Sequence, residues 1–212
     1  MPDLPQLLLF IAAGWLLNLT PGPDVLYIVS NALRSGVRAG MFAALGIVSG
    51  CFVHVFAAAV GVSALLATSA TAFTVLKWIG AAYLLWMGVR LLMSNATPLE
   101  LRAGAAEVDL WRVYRRGFLT NVLNPKVALF FLAFVPQFIA PGADNKAWIF
   151  LVLGVIFNLN SLPINFGYAW LAAWAAHRVH TVQRAMRWMD RAAGLLFVGF
   201  GLRLAMSNNP TP

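Results

Sequence analysis

The sequence predicts an all-α integral membrane protein: six transmembrane helices arranged as two inverted three-helix repeats, with the first and fourth helices broken. Three observations lead there. The 212 residues are 61% hydrophobic and only 10% charged, with a mean hydropathy of +0.78, whereas soluble domains carry about 25% charged residues. Apolar runs long enough to cross a bilayer alternate with short polar joins. Two of those runs are interrupted, at related positions, by proline beside polar residues.

The runs lie at roughly 4–30, 39–67, 71–93, 117–140, 147–175 and 192–207. Each is apolar enough for ~30 Å of hydrocarbon, the last being short unless it extends back towards Met189. Their lengths favour helices over barrel strands, which are ~10 residues of alternating polarity. The first run lacks a basic leader and a small-residue cleavage site, so it reads as a retained span rather than a signal peptide.

Basic residues set the expected orientation. Arg34 and Arg38 lie in the first join. Arg90, Arg102, Arg112, Arg115 and Arg116 surround the third, and Arg178, Arg184, Arg187 and Arg191 lie in the fifth; the second and fourth have only Lys77 and Lys146 at their edges. The positive-inside rule places the odd-numbered joins in the cytoplasm and both termini outside. The net charge of +8 is too dispersed, in too apolar a chain, for a nucleic-acid partner.

An internal repeat divides the chain into a first unit at 1–95, a cytoplasmic linker at 96–116 and a second unit at 117–212. Gly14-Trp15-Leu16-Leu17-Asn18 resembles Gly117-Phe118-Leu119-Thr120-Asn121, and Arg90-Leu91-Leu92-Met93-Ser94-Asn95 resembles Arg203-Leu204-Ala205-Met206-Ser207-Asn208. Three spans per unit force the second copy to insert upside down, the architecture of many secondary transporters, whose sites lie at the midplane.

The breaks carry the chemistry. Pro21 lies 13 residues before Arg34 and Pro125 lies 9 after Arg116, which at 1.5 Å per residue puts both ~14–20 Å from the cytoplasmic boundary. Thr20-Pro21 and Asn124-Pro125 each have the form of an N-cap followed by proline at the first helical position. A helix restarting there presents unpaired N–H groups and a partial positive charge to a cavity, a setting for a carboxylate. Simple proline kinks are the alternative.

Asp24 and Lys126 are the formal charges deep in the spans. They are either a structural ion pair or the two poles of a zwitterion site, with Asp24 meeting an ammonium group or carrying a proton. The expected substrate-binding set is Asn18, Thr20, Pro21, Gly22, Asp24, Asn121, Asn124, Pro125, Lys126, Asn158 and Asn160, with Asp24 and His54 as proton-coupling candidates. The fifth span's Asn158, Asn160, Ser161, Pro163 and Asn165 should face the bundle or a wet cavity, or else bond neighbouring helices. Gly46-x-x-x-Gly50 permits close helix contact, within the fold or between subunits. A single cysteine, Cys51, excludes an internal disulfide. No phosphate loop, nucleophile elbow or metal-ligand cluster is present, so neither an enzyme nor a cofactor is expected.

These residues are similar to the lysine-exporter (LysE) superfamily, in its homoserine/threonine-resistance (RhtB) branch. The resemblance rests on Thr20-Pro21-Gly22-Pro23, on Asn31-x-x-Arg34-x-Gly36-x-x-Ala39-Gly40, on Gly46 and Gly50, and on Gly117-Phe118-x-x-Asn121-x-x-Asn124-Pro125-Lys126 leading into Phe130-Phe131. It spans essentially the whole chain apart from the asparagine-rich fifth span. It implies a multi-pass protein of the bacterial cytoplasmic (inner) membrane that exports amino acids or close derivatives, homoserine/threonine-, leucine- or lysine-like, by proton antiport. Partners would then be the amino acid, protons and the lipid bilayer, with a homo-oligomer left open. Two other readings stay open: a passive channel or exporter of another small solute, and a non-transporting scaffold subunit.

Overall fold

The computed structural model describes residues 2–68, 70–93, 108–140, 142–175 and 179–206. Among them every regular element is helical: α1 (Leu4–Leu19), α2 (Pro23–Thr68), α3 (Ala70–Leu92), α4 (Leu110–Val122), α5 (Pro125–Leu129), a π-helical turn at Phe130–Phe134, a 3-10 turn at Val135–Phe138, α6 (Lys146–Trp174) and α7 (Val179–Met206). Two stretches are long and apolar enough to cross a membrane by themselves, Pro23–Gly61 and α6. The pair Leu110–Val122 and Pro125–Phe138 is long and apolar enough only when taken together, and it is bent by 46° at the break. The chain is a helical membrane protein.

The stretch Pro23–Gly61 is not one rod. Gly36 adopts φ 81°, ψ 176°, a left-handed conformation open to glycine and costly for other residues. A Cβ placed on Gly40 would come within 2.8 Å of the Ala32 methyl. In a straight helix, residues eight apart are separated by ~12 Å. The two limbs, 23–35 and 37–68, therefore fold back on each other as a hairpin at the first basic join. Arg34 and Arg38 are exposed at its tip.

The linker expected at 96–116 falls partly on residues 94–107, which lie outside the described residues, as do Ser94, Asn95, Ser207 and Asn208 of the repeat. From Leu110 the chain is already helical, so α4 starts inside the expected linker. Asp109 caps it by accepting from the Arg112 N–H at 3.0 Å, and Arg112, Arg115 and Arg116 on its first turns are exposed. The sixth run likewise starts earlier than its apolar core, since α7 reaches back to Val179.

α2 is the hub, packing on both α4 and α6, while α3 packs on α7 and α1 on α6. Small residues make the closest of these contacts. A Cβ on Gly46 would strike the Tyr114 carbonyl oxygen, and one on Gly117 would lie 2.6 Å from the Ala43 carbonyl oxygen. The Gly46/Gly50 pair thus serves contact with α4 inside the fold, where small residues let backbones approach without a hydrophobic driving force.

Two apolar clusters result. One joins Phe10, Phe130, Phe131, Phe134, Phe138 and Phe157, with neighbouring ring centroids 5.1–6.2 Å apart. The other joins Val25, Ile28, Val29 and Ala32 to Ala43, Ala44, Ile47, Val113 and Ala169. The aromatic cluster lies towards the start of α1, and the aliphatic one towards the Gly36 hairpin. The breaks lie between them.

Gly46→Ala should lower stability by about 1–3 kcal/mol, because overpacking against backbone forces the helices apart. Gly61→Ala, where a Cβ meets nothing within 4 Å, should be neutral or slightly stabilising. Thermal midpoints of the purified variants in detergent check the contrast.

Candidate functional site

α1 ends at Leu19 and leaves its last carbonyls without helical partners. Their replacements come from three elements. The Thr20 N–H and Oγ1 both donate to the Leu16 oxygen, at 3.0 and 2.6 Å. Tyr168 of α6 donates its hydroxyl to the Leu19 oxygen at 2.8 Å. Lys126 of α5 sends its ammonium across to the Leu17 oxygen at 3.1 Å and the Thr20 oxygen at 2.9 Å. A cation at a helix C-terminus also meets the negative end of the dipole.

The two breaks are built differently. Asn124-Pro125 is the expected N-cap and first helical proline: the Asn124 Oδ1 accepts from the Lys126 N–H at 3.0 Å. Thr20-Pro21 is not. Thr20 terminates α1 with extended backbone (φ −76°, ψ 120°), and the helix restarts two residues later than expected, at Pro23, with the Gly22 oxygen accepting from the Leu26 N–H at 2.9 Å. The second proline, not the first, occupies the first helical position. That puts Asp24 in the first turn, where a carboxylate meets the positive end of the dipole.

Asp24 and Lys126 are both buried and line the same cavity, yet no ion pair within hydrogen-bonding reach joins them. The ammonium is engaged by the α1 carbonyls. The Asp24 Oδ2 accepts instead from the Asn121 Nδ2 at 2.9 Å. Each charge is thus held at a helix end of opposite polarity. Gly22 makes room for this arrangement, since a Cβ there would lie 3.2 Å from the Lys126 nitrogen.

The cavity measures about 20 Å³, room for one water-sized group. Of the expected set, Asn18, Asp24, Asn121, Lys126 and Asn158 line it. Thr20, Pro21, Gly22, Asn124 and Pro125 shape the breaks without lining it, and Asn160 lies off the wall. His54 stands behind Asn121, its Nε2 donating to the Asn121 carbonyl at 2.9 Å. Ser161 and Asn165 share the α6 stripe with Asn158 at three- and seven-residue spacing, and they line the cavity as well.

Sequence reasoning missed the apolar wall, which includes Leu17, Ile47, Cys51 and Phe157. Nothing in an apolar residue's identity marks it as facing a cavity rather than lipid. It also missed a third buried charge. Asp190 lies within α7 and is 8% exposed. It stands next to Arg191 at the edge of a basic join, where a charge carries no local signal of burial.

Residues 15–208 match the LysE type translocator family. The chain belongs to that family. Its members are transporters rather than enzymes. An uncharacterized membrane protein of Vibrio cholerae is 35% identical over 96% of this chain and 98% of its own length. The leucine efflux protein of Enterobacter sp. (strain 638) is 32% identical over 92% and 93%, and the homoserine/homoserine lactone efflux protein of Salmonella typhimurium is 30% identical over 94% and 96%. These names agree with the RhtB branch of the LysE superfamily. No solved structure matches the chain.

Lys126→Met should destabilise the protein by roughly 1.5–3 kcal/mol, the scale of a hydrogen bond to a charged group, because it strands the α1 carbonyls. Asn124→Ala should cost about 1 kcal/mol, the usual value of an N-cap. Denaturation of the two purified variants gives the order; a larger loss in Asn124→Ala would contradict the role assigned to Lys126.

Proposed function

We propose that this LysE family protein is a secondary transporter that exports amino acids or close derivatives across the bacterial cytoplasmic membrane. The observation that carries the reading is a cavity lined by opposite charges, Asp24 and Lys126, on two broken helices and by Asn18, Asn121 and Asn158. Relatives with efflux names at 30% identity or above over nearly the whole chain support it.

Six spans in two inverted units fit this reading. The first span is α1 plus the limb 23–35, and the fourth is α4 plus Pro125–Phe138. The packing of α3 on α7 joins the two helices that carry the repeated Arg-Leu-x-Met run. The basic residues place the Gly36 hairpin in the cytoplasm and both termini outside. The substrate set is Asn18, Asp24, Asn121, Lys126 and Asn158, supported by the residues that build the breaks.

Proton antiport is the proposed coupling. Asp24 is its centre, with Asn121 bridging from the carboxylate towards His54. Exchange of a proton for substrate at one carboxylate would supply the alternation, because the same oxygens cannot serve both at once.

Cells or proteoliposomes loaded with labelled amino acids should show efflux from wild type that falls at least tenfold in Asp24→Asn and Lys126→Ala, and that stops when an uncoupler collapses the proton gradient. Undiminished efflux in both folded variants would contradict the site. Efflux that follows only the solute gradient would contradict the coupling.

A further inference from the structure

We infer that the end of α1 is a site for a monovalent cation, and that the Lys126 ammonium is its tethered occupant. Transport by this chain then needs no sodium ion, because the chain carries its own cation where a free one would bind. The site itself stands apart from the export reading; only the consequence for coupling rests on it.

The site is written into Thr20-Pro21-Gly22-Pro23. In a continuous helix the Leu17 and Leu19 carbonyls would accept from residues 21 and 23. Both are prolines and have no N–H to give. Thr20 does not relieve them, since its own N–H and hydroxyl both donate to the Leu16 oxygen. The Leu19 oxygen goes to the Tyr168 hydroxyl, a neutral donor. The Leu17 and Thr20 oxygens converge on a single point, where the Lys126 nitrogen lies 3.1 and 2.9 Å away.

Three features mark that point as a cation site and not only a helix cap. It is out of reach of solvent, with Leu17, Thr20 and Lys126 only 2%, 0% and 6% exposed. An anionic oxygen stands by: Asp24 lines the same cavity as Lys126, is itself 8% exposed, and has its Oδ1 without a hydrogen-bond partner. No side chain at residue 22 crowds the nitrogen, because a Cβ on Gly22 would lie 3.2 Å from it. Unwound carbonyls at the C-terminal end of a half-helix are what carriers with broken helices use to hold a coupling cation. Here the second residue of α5 delivers that cation, so the restart of one broken span fills the end of the other.

Lys126→Ala removes the ammonium with its tether, and the atoms lost are those of n-propylammonium. Melting midpoints of the purified protein, which read binding without transport, are compared in n-propylammonium, sodium and choline chlorides at equal ionic strength. Choline carries the charge on a bulky head with no N–H. At about tenfold above its dissociation constant, n-propylammonium or sodium should raise the Lys126→Ala midpoint by about 3–6 °C over choline. Lys126→Met keeps an apolar chain of similar length in the space and should not respond, and neither should wild type. Where Lys126→Ala does not stay folded in choline, the yield of monodisperse protein extracted in each salt replaces the midpoint. Recovery in n-propylammonium or sodium alone is then the expected result.

The inference is overturned if Lys126→Ala is indifferent to the three salts or is lost in all of them. It is overturned equally if Lys126→Met or wild type responds as Lys126→Ala does. Wild-type efflux from proteoliposomes should be the same in sodium and in choline media, and a sodium requirement would also overturn it. The export reading fails separately: no amino acid would move in either medium, while the salt response of Lys126→Ala would persist.

Discussion

The arrangement depends on one contact, the Lys126 ammonium on the Leu17 and Thr20 carbonyl oxygens. A helix that ends inside a membrane exposes carbonyls that no solvent can satisfy. Here the end of α1 is completed by a side chain from the start of another broken helix. The contact ties together segments more than 100 residues apart, and it holds a buried cation where the dipole of α1 is negative. Asp24 occupies the converse position, in the first turn of a helix whose dipole is positive there.

This explains why two opposite buried charges share a cavity without forming an ion pair. Closing the pair would leave the α1 carbonyls bare, and a buried ion pair in low dielectric recovers little beyond its desolvation cost. Keeping the charges apart leaves Asp24 and the neighbouring asparagines with acceptor capacity to spare. The polar site exists because the backbone breaks consume the cation and not the anion. The π-helical and 3-10 turns that follow α5 carry Phe130, Phe131, Phe134 and Phe138 of the aromatic cluster, so much of that cluster lies on the least regular part of the chain.

Much of this was legible in the sequence. The prolines at 21, 23 and 125 marked breaks, although Pro163 sits inside the continuous α6, and Asn124-Pro125 named its own cap. The hairpin at Gly36 announced itself by Arg34 and Arg38. The chain's placement in the LysE type translocator family follows from motifs that could be quoted residue by residue. What stayed hidden was three-dimensional. Thr20-Pro21-Gly22-Pro23 offers two prolines as restart points, and the spacing alone does not select Pro23, where the helix resumes. That Lys126 would prefer carbonyls to Asp24 depends on geometry that spacing does not encode. Asp190 and the apolar wall lacked any local signal.

The central claim is that the transported solute passes through the space between the two breaks. Cys51 tests it, being the chain's single cysteine and part of the cavity wall. Efflux from proteoliposomes should be measured after Cys51 has been labelled to completion with a small methanethiosulfonate reagent, with Cys51→Ala treated in parallel. The account predicts that labelling abolishes wild-type efflux and leaves Cys51→Ala active and insensitive. Full labelling with undiminished wild-type efflux would contradict it.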